Sequence, residues 1–344
     1  ALSQRSMLLV DSESPVRPRG SQPSEHVSAA SGPKTTRTVA SRIKEIKLRD
    51  WRLNIGFNIV PGISMSPLMF LDIPLAIILG FYYRTECSWS LIGWGCCVYY
   101  VKECLPMSVA LHRYFSHKGF QCNRLVQFGL HWLACLASQG PPLWWASKHR
   151  RHHAGCDTVD DPHTPVAYSR LYGWIGWIYL PGAEGPIGSG HDEEFIRDHL
   201  RFPELVIMES FSWVPVWLVH ALFYNYGGGP WLVYVSIWSG VACQLLTCYF
   251  NVMFHPDDHD DETGTCKAID MPSDFMANGF GEAYHAWHHV HPRAYHRPGV
   301  DVPYWTFIKP CLMLGIFHGN NILHTVKSEP QTMGPTPSST VVGA

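Results

Sequence analysis

Lys148-His149-Arg150-Arg151-His152-His153 packs three imidazoles into five consecutive positions. Offsets of three and four residues fall on one face of a helix, so a single helix can aim these rings at one point. The same His-x-x-His-His spacing returns at His285-Ala286-Trp287-His288-His289. In both groups the rings lie within an arc of about 100°. A third group, His112-Arg113-Tyr114-Phe115-Ser116-His117, precedes them. Imidazole is the commonest side-chain metal ligand, and eight rings exceed what one mononuclear site uses. Chance clustering in a His-rich chain is the bland alternative. A spacing used twice argues instead for a buried polynuclear metal centre.

The first group differs from the other two. Its offset of five separates the rings by about 140° on an α-helix. Convergence is therefore expected where the helix ends and unwinds, with Pro106 upstream as a kink that aims the group. A ninth ring follows from Asn251-Val252-Met253-Phe254-His255, where an offset of four aligns Asn251 with His255. Asn251 can then hold a metal-bound water. The soluble di-iron bundles use two Glu-x-x-His pairs; here that spacing occurs once, from Glu282 to His285, and the shell is read as all-nitrogen. Two irons suit a lipid-facing centre better than zinc does, because zinc has no redox role. Asp157, Asp160, Asp161, His163 and Glu282 are expected to accept the second N–H of the ligating rings. His291 and His296 are the alternative ligands nearest the third group. The acidic run from Asp257 to Asp261 reads as a solvated loop.

The apolar segments place these groups. Four stretches approach the roughly 20 residues that cross a bilayer: about Ser66 to Tyr83, Trp89 to Leu111, Glu204 to Tyr226 and Pro230 to Phe250. A short turn with Arg84 and Glu86 joins the first two, and Gly227-Gly228-Gly229 joins the last two. Two hairpins return the chain to its starting side, so every histidine group lies on one face. The basic Ser41 to Arg52 segment marks that face as cytoplasmic, or stromal in a plastid. Asp72 and Glu209 are expected near span ends, where water reaches. Asn123 to Trp145, interrupted by Gln139-Gly140-Pro141-Pro142, is expected buried or re-entrant. The fold class is therefore all-α, an integral membrane protein of four transmembrane helices in two hairpins with a helical cytosolic cap. Residues 1–50 form a disordered or targeting tail, 51–326 the membrane domain and 327–344 a disordered tail.

Composition agrees. Of 344 residues only 16% are charged while 13% are aromatic, and the net charge is −2. With a pI near 6.9, no basic stripe for nucleic acid is present. The eleven cysteines lie scattered in apolar runs with no Cys-x-x-Cys pair, and read as reduced and buried. Cys156 reads as a packing residue.

These motifs resemble the membrane fatty acyl desaturases, especially the stearoyl-CoA and acyl-lipid Δ9 branch. The resemblance spans roughly Ser66 to Tyr304. It rests on His112 to His117, Trp145 to His153, Asp161-Pro162-His163, Asn251 to His255 and Gly281 to His289. It implies two irons held by His112, His117, His149, His152, His153, His255, His285, His288 and His289, with Asn251 acting through water. It further implies O₂ as co-substrate, a bent acyl tunnel with Gln139 and Trp145 near its bend, and an acyl-CoA or acyl-lipid substrate. The expected product carries a cis double bond. Tyr100, with Cys96 and Tyr99, is expected at the closed end of the tunnel. No His-Pro-Gly-Gly haem motif occurs, so an external donor is implied, cytochrome b5 or ferredoxin. The expected location is the endoplasmic reticulum, with a plastid membrane as the alternative. The chain departs from the pattern where an acidic loop follows His255 and where Ser273 to Gly279 replaces an Asn-Asn-Trp-Trp stretch.

Two other readings compete. A membrane hydroxylase or ketolase acting on an alkane, sterol or carotenoid uses similar histidine boxes, but its first box usually has three intervening residues. A histidine-lined metal transporter would carry its ligands at mid-membrane depth, whereas these groups flank the spans. Lys148, Arg150, Arg151, Arg293 and Arg297 are candidates to attract an acidic electron donor.

Overall fold

Long apolar segments must either pack on one another or face lipid, and the computed structural model divides them between both. It describes residues 71–179, 191–256 and 266–319. The expectations for the two tails, for Ser41 to Arg52 and for the Asp257 to Asp261 run fall outside these residues.

Helix α1 (Asp72–Tyr82) and helix α2 (Trp89–Lys102) are joined by a single 3₁₀ turn, Arg84–Glu86. Ser88 caps α2 by accepting from the Leu91 N–H at 3.3 Å. The second pair begins with α7 (Trp213–Trp231), whose helical dihedrals break at Gly227 and at Gly228, where φ is 72°. After Trp231 come a π-helical stretch, Leu232–Ile237, and α8 (Trp238–Met253). The break reverses the chain: His220 Nδ1 lies 2.9 Å from Ser236 Oγ. Sixteen residues of straight helix would instead separate them by about 24 Å. The glycine turn expected from sequence is thus a hairpin. The first hairpin packs on the second, and Gly95 is needed there. A Cβ on it would stand 2.4 Å from the Tyr234 carbonyl oxygen.

The outward faces are apolar. Ile77, Ile78, Phe81, Trp89, Trp94, Leu218 and Leu222 are all more than half exposed. Such a surface suits lipid. By length and composition, one helical run, Trp213–Met253, can cross a membrane, and α1 is a shorter apolar helix.

The cap is built from α3 (Arg124–Cys135), α4 (Pro142–Gly155), α5 (Glu193–Leu200), α6 (Pro203–Ser210), α9 (Phe275–Phe280), α10 (His285–Val290) and α11 (Lys309–Met313). One short antiparallel pair, β1 (Phe120–Cys122) with β2 (Phe317–Gly319), closes it. As expected, Asn123 to Trp145 is not a span: it folds as α3, a turn and the start of α4.

Three expectations are corrected. The third apolar helix starts at Trp213, because Glu204 to Ser210 belongs to the separate helix α6. Asp72 and Glu209 are both 3% exposed, so neither sits in water. Asp72 Oδ1 instead meets His220 Nε2 at 3.1 Å. Glu209 accepts from the Leu143 and Trp144 N–H groups at 3.0 and 2.7 Å, and so caps the N-terminus of α4. Its oxygens also meet His131 Nε2 at 3.3 Å and His191 Nε2 at 2.8 Å. Two histidines without a sequence pattern therefore serve a buried carboxylate.

That carboxylate fixes where α4 begins, and α4 carries the second histidine group. Glu209→Leu should cost about 3 kcal/mol or more, since it strands four donors, while Glu209→Gln should cost less. Thermal unfolding in detergent checks this; equal melting temperatures for Glu209→Leu and the parent chain would refute it.

Candidate metal centre

The first histidine group does not unwind the helix. The chain of α2 continues without interruption as a π-helix, Glu103–Ser116. Pro106 lies inside it and cannot donate to the carbonyl four residues back, which frees the ladder to adopt the wider i→i+5 pattern. The N–H of His117 donates to the His112 carbonyl at 3.2 Å. An offset of five now completes one turn, and the two rings share a face. Their centroids are 5.0 Å apart. Arg150 holds the carbonyl end of this helix, donating to the Phe115 and Ser116 carbonyls at 2.5 Å each.

All nine histidines singled out from sequence converge in two sets. His112, His117, His149, His153 and His288 form one; His152, His255, His285 and His289 form the other. Within each set the nearest ring nitrogens lie no more than 4.8 Å apart. The two His-x-x-His-His groups are each divided between the sets, so α4 and α10 serve both. His291 turns its Nδ1 to the Trp287 carbonyl and His296 stacks on Tyr304 at 3.9 Å; neither joins a set.

Buried carboxylates orient the rings. His152 Nδ1 donates to Asp161 Oδ2 at 2.7 Å, His255 Nδ1 to Asp157 Oδ2 at 2.9 Å, and His112 Nδ1 to Glu282 Oε1 at 3.2 Å. Each donation leaves the Nε2 lone pair pointing inward. The carboxylates are themselves fixed. Lys267 N–H donates to Asp157 at 2.7 Å, Asp157 N–H to Asp161 at 3.0 Å, and Ser108 Oγ to Glu282 at 3.0 Å. Arg297 also pairs with Glu282. Beside His112, the Arg113 guanidinium forks onto Asp301 at 2.7 and 3.0 Å, with both side chains fully buried. This fork ties the first histidine group to the segment that follows the third.

The spacing of the ring nitrogens suits ions. Nε2–Nε2 distances are 3.0 Å for His112–His288, 2.9 Å for His117–His149, 3.1 Å for His149–His153 and 3.2 Å for His153–His288. In the second set they are 3.0 Å for His255–His285 and 3.2 Å for His285–His289. Ligands about 2.1 Å from a common ion and at right angles to one another stand about 3.0 Å apart. Burial, and then the crowding of neighbouring rings, pushes the pKa of His149, His153, His285 and His288 well below the usual imidazole value. His289 is pushed down to about 2, chiefly by burial. Neutral rings with inward lone pairs can hold cations, and the residues present fit a pair of metal ions.

A cavity of about 240 Å³ opens onto both sets, lined by His112 and His149 from one and His285 from the other. Trp145 lines it and stacks on His149 at 4.8 Å, and Asn251 lines it too. The remaining walls are mostly apolar, among them Met107, Leu246, Phe250 and Phe280, with Glu103, Ser108, Thr247, Asp274 and Glu282 between them. Tyr99 is a lining residue, whereas Tyr100 stands outside with its ring 5.4 Å from that of Phe280. Gln139 is buried but absent from the lining; its amide donates to the Cys243 carbonyl at 2.9 Å.

Two further expectations are corrected. Cys156 is joined to Cys266 in a disulfide across 110 residues, while the other nine cysteines are free. Spacing carried no sign of this pair, because it forms only once the loops after α4 and before α9 meet under the second set. Most of the basic residues beside the boxes are internal. Lys148 and Arg151 are buried and bind Asp192 at 3.0 and 3.2 Å, and Arg297 is buried against Glu282. Only Arg293 of that group is exposed.

Asp161→Asn should lower retained metal or activity by roughly 10- to 100-fold, because the His152 ring loses the acceptor that sets its tautomer. Metal analysis of the purified variant checks this; metal content and activity equal to the parent would refute the role.

Relatives are consistent with this architecture. A family model described as fatty acid desaturase matches residues 88–307. The chain is 27% identical over 236 residues to a hex-5-enoyl-[acyl-carrier protein] acetylenase of Moorena producens (strain JHB), covering 62% of this chain and 70% of that protein. It is 26% identical over 212 residues to an acyl-CoA 5-desaturase of Anemone leveillei, covering 59% and 61%. It is 29% identical over 250 residues to an sn-1 stearoyl-lipid 9-desaturase of Anabaena variabilis, covering 69% and 85%. With the family match extending across α2, the π-helix, the second hairpin and all nine converging histidines, this chain belongs to the fatty acid desaturase family of oxidoreductases.

Proposed function

We propose that this chain is an O₂-dependent fatty acyl desaturase that places a cis double bond in a saturated acyl chain, of Δ9 type. The reading rests on one observation: two sets of converging imidazoles open onto a single, mostly apolar cavity. His112, His117, His149, His153 and His288 would hold one iron, and His152, His255, His285 and His289 the other, with Asn251 placed to hold a water. The irons, when bound, supply the O₂ and electron chemistry that takes one hydrogen from each of two neighbouring methylenes.

The protein's own part is geometric. The cavity walls exclude water and hold an alkyl chain by burial alone. Trp145, locked by stacking on His149, sets where that chain passes the first set. Tyr99 is the aromatic residue of α2 that faces the chain. Asp157, Asp161 and Glu282 keep the rings in one tautomer and one orientation. Relatives are named for positions 5 and 9, and cavity depth would set the position of the new bond in this chain.

The four apolar helical arms would span the membrane as two hairpins, with the cap on the cytoplasmic or stromal face. The substrate is an acyl-CoA or acyl-lipid. An external donor, cytochrome b5 at the endoplasmic reticulum or ferredoxin in a plastid, would supply electrons.

Two experiments test this reading. Expression in a desaturase-deficient host should yield monounsaturated chains, and His152→Ala should reduce them by roughly 100-fold or more. Mass spectrometry decides the reaction: loss of two hydrogens supports desaturation, while gain of one oxygen would establish the hydroxylase reading. The purified protein should carry about two irons per chain, and His149→Ala and His255→Ala should each leave about one. Loss of both irons in each variant would refute two separate ligand sets.

A further inference from the structure

Of the three acidic residues that line the cavity, Glu103, Asp274 and Glu282, only Glu103 is buried, and it supports no histidine. Glu103 opens the π-helix, is 6% exposed and lines the same cavity as His112 and His149. Its Oε1 accepts from Thr247 Oγ1, another lining residue, at 2.9 Å. The Cys243 side chain touches the same carboxyl. Among the described residues no lysine or arginine pairs with it: the adjacent Lys102 points away, to the Ser236 carbonyl at 3.3 Å. A carboxyl in an apolar wall must be hydrogen bonded, and a passing methylene offers nothing in exchange.

Position sharpens the point. Glu103, Met107, Ser108 and His112 all line the cavity, so one face of the π-helix runs from the carboxyl to the first metal set. On the opposite wall Thr247, Asn251 and His255 follow at offsets of four, along one face of α8 and its exit. Both paths put the carboxyl about 12 Å from the histidines, on the bundle side of the site. A chain reacting at the centre would carry its methyl-end half past Glu103.

We propose that Glu103, with Thr247, recognises a hydroxyl on the methyl-end half of the acyl chain, so that the preferred substrate is a monohydroxyacyl chain. The inference rests on the desaturase reading of the site. A carboxyl oxygen accepts from the substrate O–H whether or not the acid is ionised. Glu103 keeps its Thr247 bond when the chain carries no hydroxyl, so the preference comes from the added bond to the substrate O–H, worth about tenfold.

The test feeds the desaturase-deficient host, expressing the full chain, equal mixtures of octadecanoic acid and one monohydroxyoctadecanoic acid. The hydroxyl is moved carbon by carbon along the methyl-end half, and products are measured by mass spectrometry. One hydroxyl position should be desaturated roughly tenfold or more in preference to the plain chain. Glu103→Leu should invert that preference and Glu103→Gln, which keeps an acceptor, should retain it. Desaturation of the plain chain equal to or better than every hydroxylated one overturns the inference and leaves the desaturase reading standing. No desaturation of any chain overturns both. If Glu103→Leu does not accumulate, the preference of the parent chain and of Glu103→Gln still decides.

Discussion

Nine imidazoles can share a small volume only if none of them carries a proton on its inward nitrogen. For three of them that condition is enforced from behind, by carboxylates that accept the outward N–H. Asp161 does this for His152, Asp157 for His255 and Glu282 for His112. Burial of each carboxylate would be costly alone, and each is bonded to backbone N–H groups, a hydroxyl or an arginine. The hairpins, cap helices and buried ion pairs serve to keep this arrangement closed. Removing a supporting acid would act on the inward ring nitrogens without touching them.

The support reaches beyond the rings. Arg113 and Asp301 form a fully buried fork that joins the π-helix to the segment after α10. Glu209 caps the start of α4, and Arg150 holds the carbonyl end of the π-helix. Two of the elements that carry histidines, the π-helix and α4, are thus anchored by charge-assisted hydrogen bonds rather than by shape alone.

Much of this was legible in the sequence because it is local. His-x-x-His-His is a statement about one helix face, and four apolar runs joined by short turns are a statement about chain reversal. Long-range partners were not legible. Nothing near Glu209 signals that His131 and His191 will meet it, and nothing near Cys156 signals Cys266. Basic residues beside the boxes looked solvated, since a charged side chain reads the same whether it faces water or Asp192. The third apolar helix was begun too early because α6 is apolar enough to extend it, and only the buried Glu209 separates the two. Tyr99 and Tyr100 are neighbours in sequence, and only the helix phase in three dimensions decides which one faces the cavity.

The π-helix changes what the number of residues between His112 and His117 means. In an α-helix four positions bring a side chain back to its starting azimuth; with i→i+5 bonding, five do. The interval between paired ligands therefore measures the local pitch of the backbone, and the same metal geometry is reachable with a shorter interval on a tighter helix. Counting residues between histidines compares winding before it compares chemistry.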